Sequence, residues 1–272
     1  MDNSQHYDYI TTPWEFLLGK NFHWGYFRSE NDSLEKATDL LIDKMFEKVT
    51  IDSSKKLLDV GCGIGNPAAY LHRKFGCTVD GISNSTNGVN TANEMAKSEN
   101  ISQKVKFHLR DATDNQFPDN SFDVVWIMEM SHLIDDKQKL IDEAFRVLKP
   151  GGEMVLCDLT FNKYPSAKEI FSWQDSLKIL EKVFGKARLD TLDYYEKLLK
   201  TSGFSKIEKE DVSKNVIPTI KYWNENLAKN RTEIDKSFVE EDVFNFAHSC
   251  EFLDKVYNSG VWGYGIISGK KI

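Results

Sequence analysis

Asp59-Val60-Gly61-Cys62-Gly63-Ile64-Gly65 places a carboxylate two residues ahead of three closely spaced glycines, directly after the apolar pair Leu57-Leu58. Glycines in such a loop let the backbone approach a ligand closely. A phosphate loop needs Gly-Lys-Ser/Thr behind its glycines, and the chain has Asn66-Pro67-Ala68 there. A dinucleotide fingerprint needs its third glycine one position later, where Asn66 stands. Asp59 also repels a pyrophosphate and suits a ligand carrying an ammonium or sulfonium charge. Two further apolar runs end in Met128-Glu129-Met130-Ser131-His132 and Leu156-Cys157-Asp158. An imidazole of ordinary pKa near 6.5 is suited to take up a proton at neutral pH, and a carboxylate can orient it.

The elements between these residues decide whether they meet. Asp32 and Ser33 can cap a helix over 34–49, with Leu34, Ala37, Leu41, Met45 and Lys48 on one largely apolar face. Short strand patterns follow at 56–60, 78–82, 105–109, 122–128 and 153–158. Helical patterns separate them after Asn66-Pro67, over 87–97 and over 136–148, the last stopped by Lys149-Pro150-Gly151-Gly152. Such alternation means an α/β, doubly wound, mostly parallel sheet covered on both faces. Ligands of these sheets sit outside the carboxyl ends of the strands, so Asp59, Glu129, His132 and Asp158 are expected around one cleft. Beyond Asp158, 160–190 and 214–258 read as aromatic-rich helical segments around a helix at 191–201 and a strand at 206–212, with a closing strand at 260–269.

The 272 residues suffice for one large domain with a full core. With 42 Asp+Glu against 35 Lys+Arg, the net charge of -7 gives no general attraction to polyanions, so neither nucleic acid nor a membrane surface is an expected partner. The apolar stretch Val124 to Met128 is stopped by Glu129, far short of the ~20 residues of a membrane span. The first thirty residues show no basic start followed by an apolar run, which leads us to expect no secretory signal and a cytoplasmic location. Cys62, Cys77, Cys157 and Cys250 lack C-x-x-C spacing and are expected as buried small hydrophobes, with no metal site.

Leu58 to Gly65 resembles motif I of the class I S-adenosylmethionine-dependent methyltransferases. Arg110-Asp111-Ala112, Phe117-Pro118-Asp119-Asn120-Ser121-Phe122-Asp123-Val124-Val125 and Phe145-Arg146-Val147-Leu148-Lys149-Pro150-Gly151-Gly152 follow in that family's order. The resemblance is strong over residues 20–160. It is closest to the small-molecule branch that includes the rebeccamycin sugar O-methyltransferase, sarcosine/dimethylglycine methyltransferases and cyclopropane fatty acid synthases, whose lid segment is similar to Asn21-Phe22-His23-Trp24-Gly25-Tyr26-Phe27. It implies a Rossmann-like, mostly parallel seven-stranded sheet with a helical N-terminal lid and insertions, and S-adenosylmethionine as cofactor. The single domain 1–272 would divide into a lid (1–50), a cofactor-binding half (55–160) and specificity helices with closing strands (161–272), in a monomer or homodimer. Gly61, Gly63 and Gly65 would pass the methionine part of the cofactor and Asp59 orient it. Asp111 would bind the adenine amino group beside the Ala112 amide, and Glu129 would lie near cofactor or acceptor. Most of the family holds the ribose with an acidic residue, where this chain has Ser83; Asn84 or Asn87 would then supply an amide. Asp80, 19 residues after Gly61, is the alternative ribose ligand.

Methyl transfer from a sulfonium is an in-line displacement that needs an acceptor lone pair about 3 Å from the methyl carbon. Alcohols and phenols titrate above neutrality and gain from a general base, whereas a neutral amine needs less help. The 26-residue spacing of His132 and Asp158 matches the base-and-carboxylate pair of the sugar O-methyltransferase that the segment resembles. His132 is therefore expected as general base, with Asp158 orienting it or contacting the acceptor. Aromatic side chains of the flanking segments, among them Tyr9, Trp14, Trp24, Tyr26, Phe161, Trp173 and Trp223, are candidates for the acceptor pocket, and His23 for a lid contact. The sequence lacks the Asn/Asp-Pro-Pro-aromatic motif of exocyclic-amine methylases of nucleic acids. The expected activity is methylation of a hydroxyl on a small molecule of specialised metabolism. The alternatives are N- or C-methylation, cofactor binding without turnover, and a dehydrogenase.

Overall fold

The computed structural model describes residues 14–272, so Tyr9 lies outside the described residues. Local chemistry sets most element boundaries. Ser33 caps α1 (Leu34–Phe46) by accepting from the Lys36 amide. The helix stops three residues short of the expected end because the next turns tighten, with the Lys48 and Val49 amides bonding back to Met45 and Phe46. β1 (Lys56–Val60) leads through the glycine loop into α2 (Asn66–Phe75), which Gly65 and Gly76 bracket with left-handed φ of 89° and 73°. β2 (Thr78–Ser83), α3 (Thr86–Ser98), β3 (Val105–Leu109), β4 (Phe122–Met128) and α4 (Lys137–Val147) follow, α3 and α4 capped by the side chains of Ser85 and Asp136.

β5 (Leu148–Phe161) is longer than its sequence pattern at both ends. Lys149-Pro150-Gly151-Gly152 ends the helix but not the extended chain, since the Gly151 amide donates to Lys271 O. At the other end β5 runs past Asp158 because an antiparallel neighbour pairs with it as far as Phe161 opposite Trp262. The remaining elements are α5 (Ala167–Phe184), α6 (Leu192–Ser202), β6 (Ser205–Asp211), α7 (Ser213–Val216), α8 (Pro218–Lys229), α9 (Arg231–Ser237), α10 (Glu240–Asn258) and β7 (Trp262–Lys270). Residues 185–190, expected within a helical stretch, are an extended strap instead, because α5 ends at Gly185 with φ 84°.

The seven strands lie in the order β3-β2-β1-β4-β5-β7-β6, parallel from β3 to β5 and antiparallel on either side of β7. This is the mostly parallel, doubly wound α/β sheet expected, with its switch point between β1 and β4. Alternation divides the core. Leu57, Val124, Trp126 and Val155 pack on the face covered by α1, α2 and α3, while Leu58, Val125, Ile127 and Met154 pack against α4 and α6. The first face continues past the strand ends into α8 and α10, where Trp24 meets Trp223 and Tyr257 at ring distances of 5.0 Å. The N-terminal segment is sewn to this layer: Gly25 N donates to Thr219 Oγ1 at 3.0 Å and Phe27 N to Asn215 O at 2.8 Å. All four cysteines are buried free thiols. Among the described residues no helix is long and apolar enough to cross a membrane.

Candidate active site

A cavity of about 300 Å³ lies beyond the carboxyl ends of the parallel strands. Gly61 and Gly63 bring the β1 loop to its wall, with left-handed φ of 81° and 52°. A Cβ on Gly63 would point into open space, whereas one on Gly61 would meet Met130 Cγ at 2.5 Å. Gly65 stands off the wall and packs α2 inward, so a Cβ there would meet Phe107, Met95 and Ala92 at 2.6–3.0 Å. Asp59 is 2% exposed, and its Oδ2 has no hydrogen-bond partner. Burial pushes its pKa up to about 7. An unpartnered buried carboxyl is costly, so this oxygen marks a place for a cationic or donor group of a ligand. Ser83 and Asn84 follow β2 onto the wall, with Ser83 Oγ accepting from Ser85 N at 3.1 Å. Asp80 is off it, held within the strand by Lys56 at 3.0 Å and His108 Nε2 at 2.8 Å. Asp111 stands exposed at the rim beside Ala112, its Oδ1 accepting from Thr113 N at 2.6 Å and Thr113 Oγ1 at 2.7 Å.

After β4 the chain turns at Glu129, whose φ of 49° is left-handed. One oxygen, Oε1, accepts from Trp24 N of the N-terminal segment at 2.8 Å and from Tyr264 OH at 2.6 Å. Burial raises the Glu129 pKa to about 8, against the lowering effect of these two bonds. His132 lines the cavity from the next turn (Ser131–Leu133), and its Nδ1 lies 2.6 Å from Asp158 Oδ1. Asp158 is fully buried and also accepts from His132 N at 2.9 Å, Leu159 N at 2.8 Å and Ser131 Oγ. Burial alone would raise its pKa, but the His132 charge and these bonds outweigh burial and hold it below the usual carboxylate value. Asp158 thus stays ionised and keeps the proton of the neutral ring on Nδ1, leaving Nε2 as the acceptor nitrogen. Ser131 has one hydrogen and gives it to Asp158, so Tyr195 OH, 2.7 Å away, donates to Ser131 Oγ.

Much of the rest of the wall is apolar, with Trp24 and Trp223 joined by Trp14, Phe184, Leu189 and Leu253, while Asn21, Asn66 and Ser85 add polar groups. His23 is there too, donating from Nδ1 to Trp24 O at 2.8 Å and kept neutral by burial, which lowers its pKa to about 4. Tyr26, Phe161 and Trp173 are not on the wall. The Tyr26 ring lies 5.9 Å from Lys44 Nζ, Phe161 packs on Trp262, and Trp173 on Phe252. Among the described residues Arg110 is the one cationic side chain on the wall, and it is engaged, donating to Asn115 O at 2.7 Å with its guanidinium over the Phe117 ring.

Residues 1–259 match the sequence model of the mycolic acid cyclopropane synthetase family. The chain belongs to that family. As a cyclopropane synthetase family member it is an S-adenosylmethionine-dependent methyltransferase. It is 34% identical over 213 residues to 27-O-demethylrifamycin SV methyltransferase of Amycolatopsis mediterranei (strain S699), covering 78% of this chain and 77% of that protein. It is 27% identical to phosphoethanolamine N-methyltransferase of Plasmodium falciparum (isolate 3D7), covering 97% and 93%. Its fold superimposes with a TM-score of 0.89 on mycolic acid cyclopropane synthase CmaA1 complexed with SAH and CTAB, at 20% identity over 98% of this chain and 96% of that one. The unpaired Asp59 oxygen and the open side of Gly63 are compatible with a cofactor bearing ammonium and sulfonium charges.

Asp59, Glu129 and His132 line one cavity beyond the strand ends, whereas Asp158, expected at the same cleft, lies fully buried behind His132 and off the wall. Ser131, Tyr195 and Tyr264 escaped sequence reasoning. Ser131 had one signal, a hydroxyl directly before the histidine of a strand-end turn. Tyr195 and Tyr264 had none, since each sits in an apolar pattern that reads as core.

Proposed function

We propose that this methyltransferase transfers the cofactor's methyl group to a hydroxyl of a small, largely apolar acceptor, with His132 as general base. The observation that carries this reading is the 2.6 Å contact between His132 Nδ1 and the ionised, buried Asp158 at the edge of an aromatic chamber. S-adenosylmethionine supplies a methyl group on a sulfonium. Asp59, Gly61 and Gly63 would hold its methionine part, Ser83 and Asn84 its ribose, and Asp111 with the Ala112 amide its adenine. Nε2 of His132 accepts the hydroxyl proton, and Asp158 stabilises the imidazolium that forms. Trp24 and Trp223 exclude water and pack the acceptor body. The lid and the segment after Phe161 carry specificity. The reading includes a cytoplasmic enzyme, monomeric or homodimeric; the net charge of -7 supports a small-molecule acceptor over a polyanionic partner such as nucleic acid or an anionic membrane surface.

The test is His132→Ala assayed on a panel of hydroxylated and amine acceptors. Loss of a general base lowers kcat by about 10²- to 10⁴-fold; a loss below about tenfold would remove the base role and favour an amine acceptor. That second reading has support in the Plasmodium relative. A phosphorylated amine is disfavoured, because among the described residues the one cationic side chain on the wall, Arg110, is already engaged by Asn115 and Phe117.

A further inference from the structure

The strap 185–190 has neither helix nor strand, yet Gly185, Ala187 and Leu189 form part of the cavity wall. It is fastened to the segment that carries His132. Arg188 N donates to His132 O at 2.7 Å, and Arg188 Nη1 to Asp135 O at 3.2 Å. The main tie is a lysine. Lys137 opens α4, a position where a lysine ordinarily reaches water, but its side chain is 1% exposed. Its Nζ donates to Arg188 O at 2.8 Å and to Ile134 O at 3.2 Å, and lies 3.3 Å from Asp190 Oδ2. Asp190 is fixed in turn, its Oδ1 accepting from Tyr164 OH at 3.2 Å and its carbonyl from Phe161 N at 3.0 Å. A buried ammonium is tolerated only when it is paired and hydrogen-bonded, and here it has one carbonyl acceptor from the strap, one from the turn, and Asp190 within ion-pair distance.

We propose that Lys137 is a positioning residue that clamps the strap 185–190 to the His132 turn and so sets the acceptor side of the cavity while leaving the cofactor side alone. This rests on the reading of that end as the acceptor site, and it holds whether or not His132 acts as base. The strap exposes Lys186 and Arg188, two trypsin sites, so its opening is measurable without an acceptor.

The experiment compares the full chain with Lys137→Met by limited trypsin digestion read by mass spectrometry, S-adenosylhomocysteine calorimetry and thermal melting. Cleavage after Lys186 or Arg188 is expected to rise by about tenfold or more, since proteolysis follows the open population. S-adenosylhomocysteine affinity should stay within about threefold. For an acceptor that the wild type turns over, KM should rise about tenfold with little change in kcat. Wild-type cleavage in a folded Lys137→Met protein overturns the clamp, and faster cleavage with unchanged acceptor KM overturns its role in acceptor binding. If Lys137→Met does not fold, Asp190→Asn takes the same measurements, and Lys137→Arg should restore slow cleavage. A wild type inactive on every hydroxyl would defeat the proposed reaction while the cleavage comparison still decided the clamp.

Discussion

Two buried carboxyls on the cavity wall, Asp59 and Glu129, bind protons more tightly in the folded chain than when exposed, burial raising their pKa to about 7 and about 8. Their contribution to stability is complete below the unfolded carboxylate range and is lost as pH rises through about 7 to 8. A cationic ligand reverses the preference and expels those protons. S-adenosylmethionine binding at pH 7 should therefore release protons, seen as a heat that changes between buffers of different ionisation enthalpy. S-adenosylhomocysteine, without the sulfonium charge, should release fewer, and Asp59→Asn should remove part of the effect. Buffer-independent heats would count against Asp59 and Glu129 as partners of the cofactor's charge. Asp158 presents the opposite arrangement, a buried carboxylate held below the usual carboxylate value by partners that all lie within the protein.

At the scale of elements, the three glycines after β1 have different physical roles despite one motif. Gly65→Ala combines a left-handed φ with contacts to Phe107, Met95 and Ala92, and should lower stability by about 1–3 kcal/mol in thermal melts. Gly63→Ala strains its left-handed φ of 52° but meets no neighbouring atom, so its larger effect should be on S-adenosylhomocysteine affinity by calorimetry. Equal effects of the two variants on both measurements would contradict this division. The elements themselves were legible where capping and alternation were local: Ser33 and Asp136 start helices as read, and β1 to β4 fall within a residue of their patterns. What distant partners determine was not. β5 is extended by β7, more than a hundred residues on, and the strap 185–190 is fastened by Lys137, which its own sequence does not reveal. Helix phase had the same effect on the aromatic candidates, with Trp223 facing the cavity and Trp173 turned to Phe252.

Across the whole molecule, the N-terminal segment is joined to the sheet and to the later helices by a few hydrogen bonds between distant segments. Thr219 is fully buried and holds Gly25 through its hydroxyl. Thr219→Val keeps the shape and removes the acceptor, leaving a buried amide unpaired at a cost of about 1–3 kcal/mol. Faster amide exchange over residues 24–27 is the expected result, and unchanged protection there would show that the segment is held by packing alone. One atom, Glu129 Oε1, receives both Trp24 from the N-terminal segment and Tyr264 from the final strand, partners 105 and 135 residues away in sequence. Closing loops of that size adds little to equilibrium cost, because each doubling of length is worth only about 0.6 kcal/mol, but it slows the search. During refolding, then, the strands should regain their circular dichroism before the chain regains affinity for S-adenosylhomocysteine. The interval between those two signals would time the arrival of the two chain segments at Glu129.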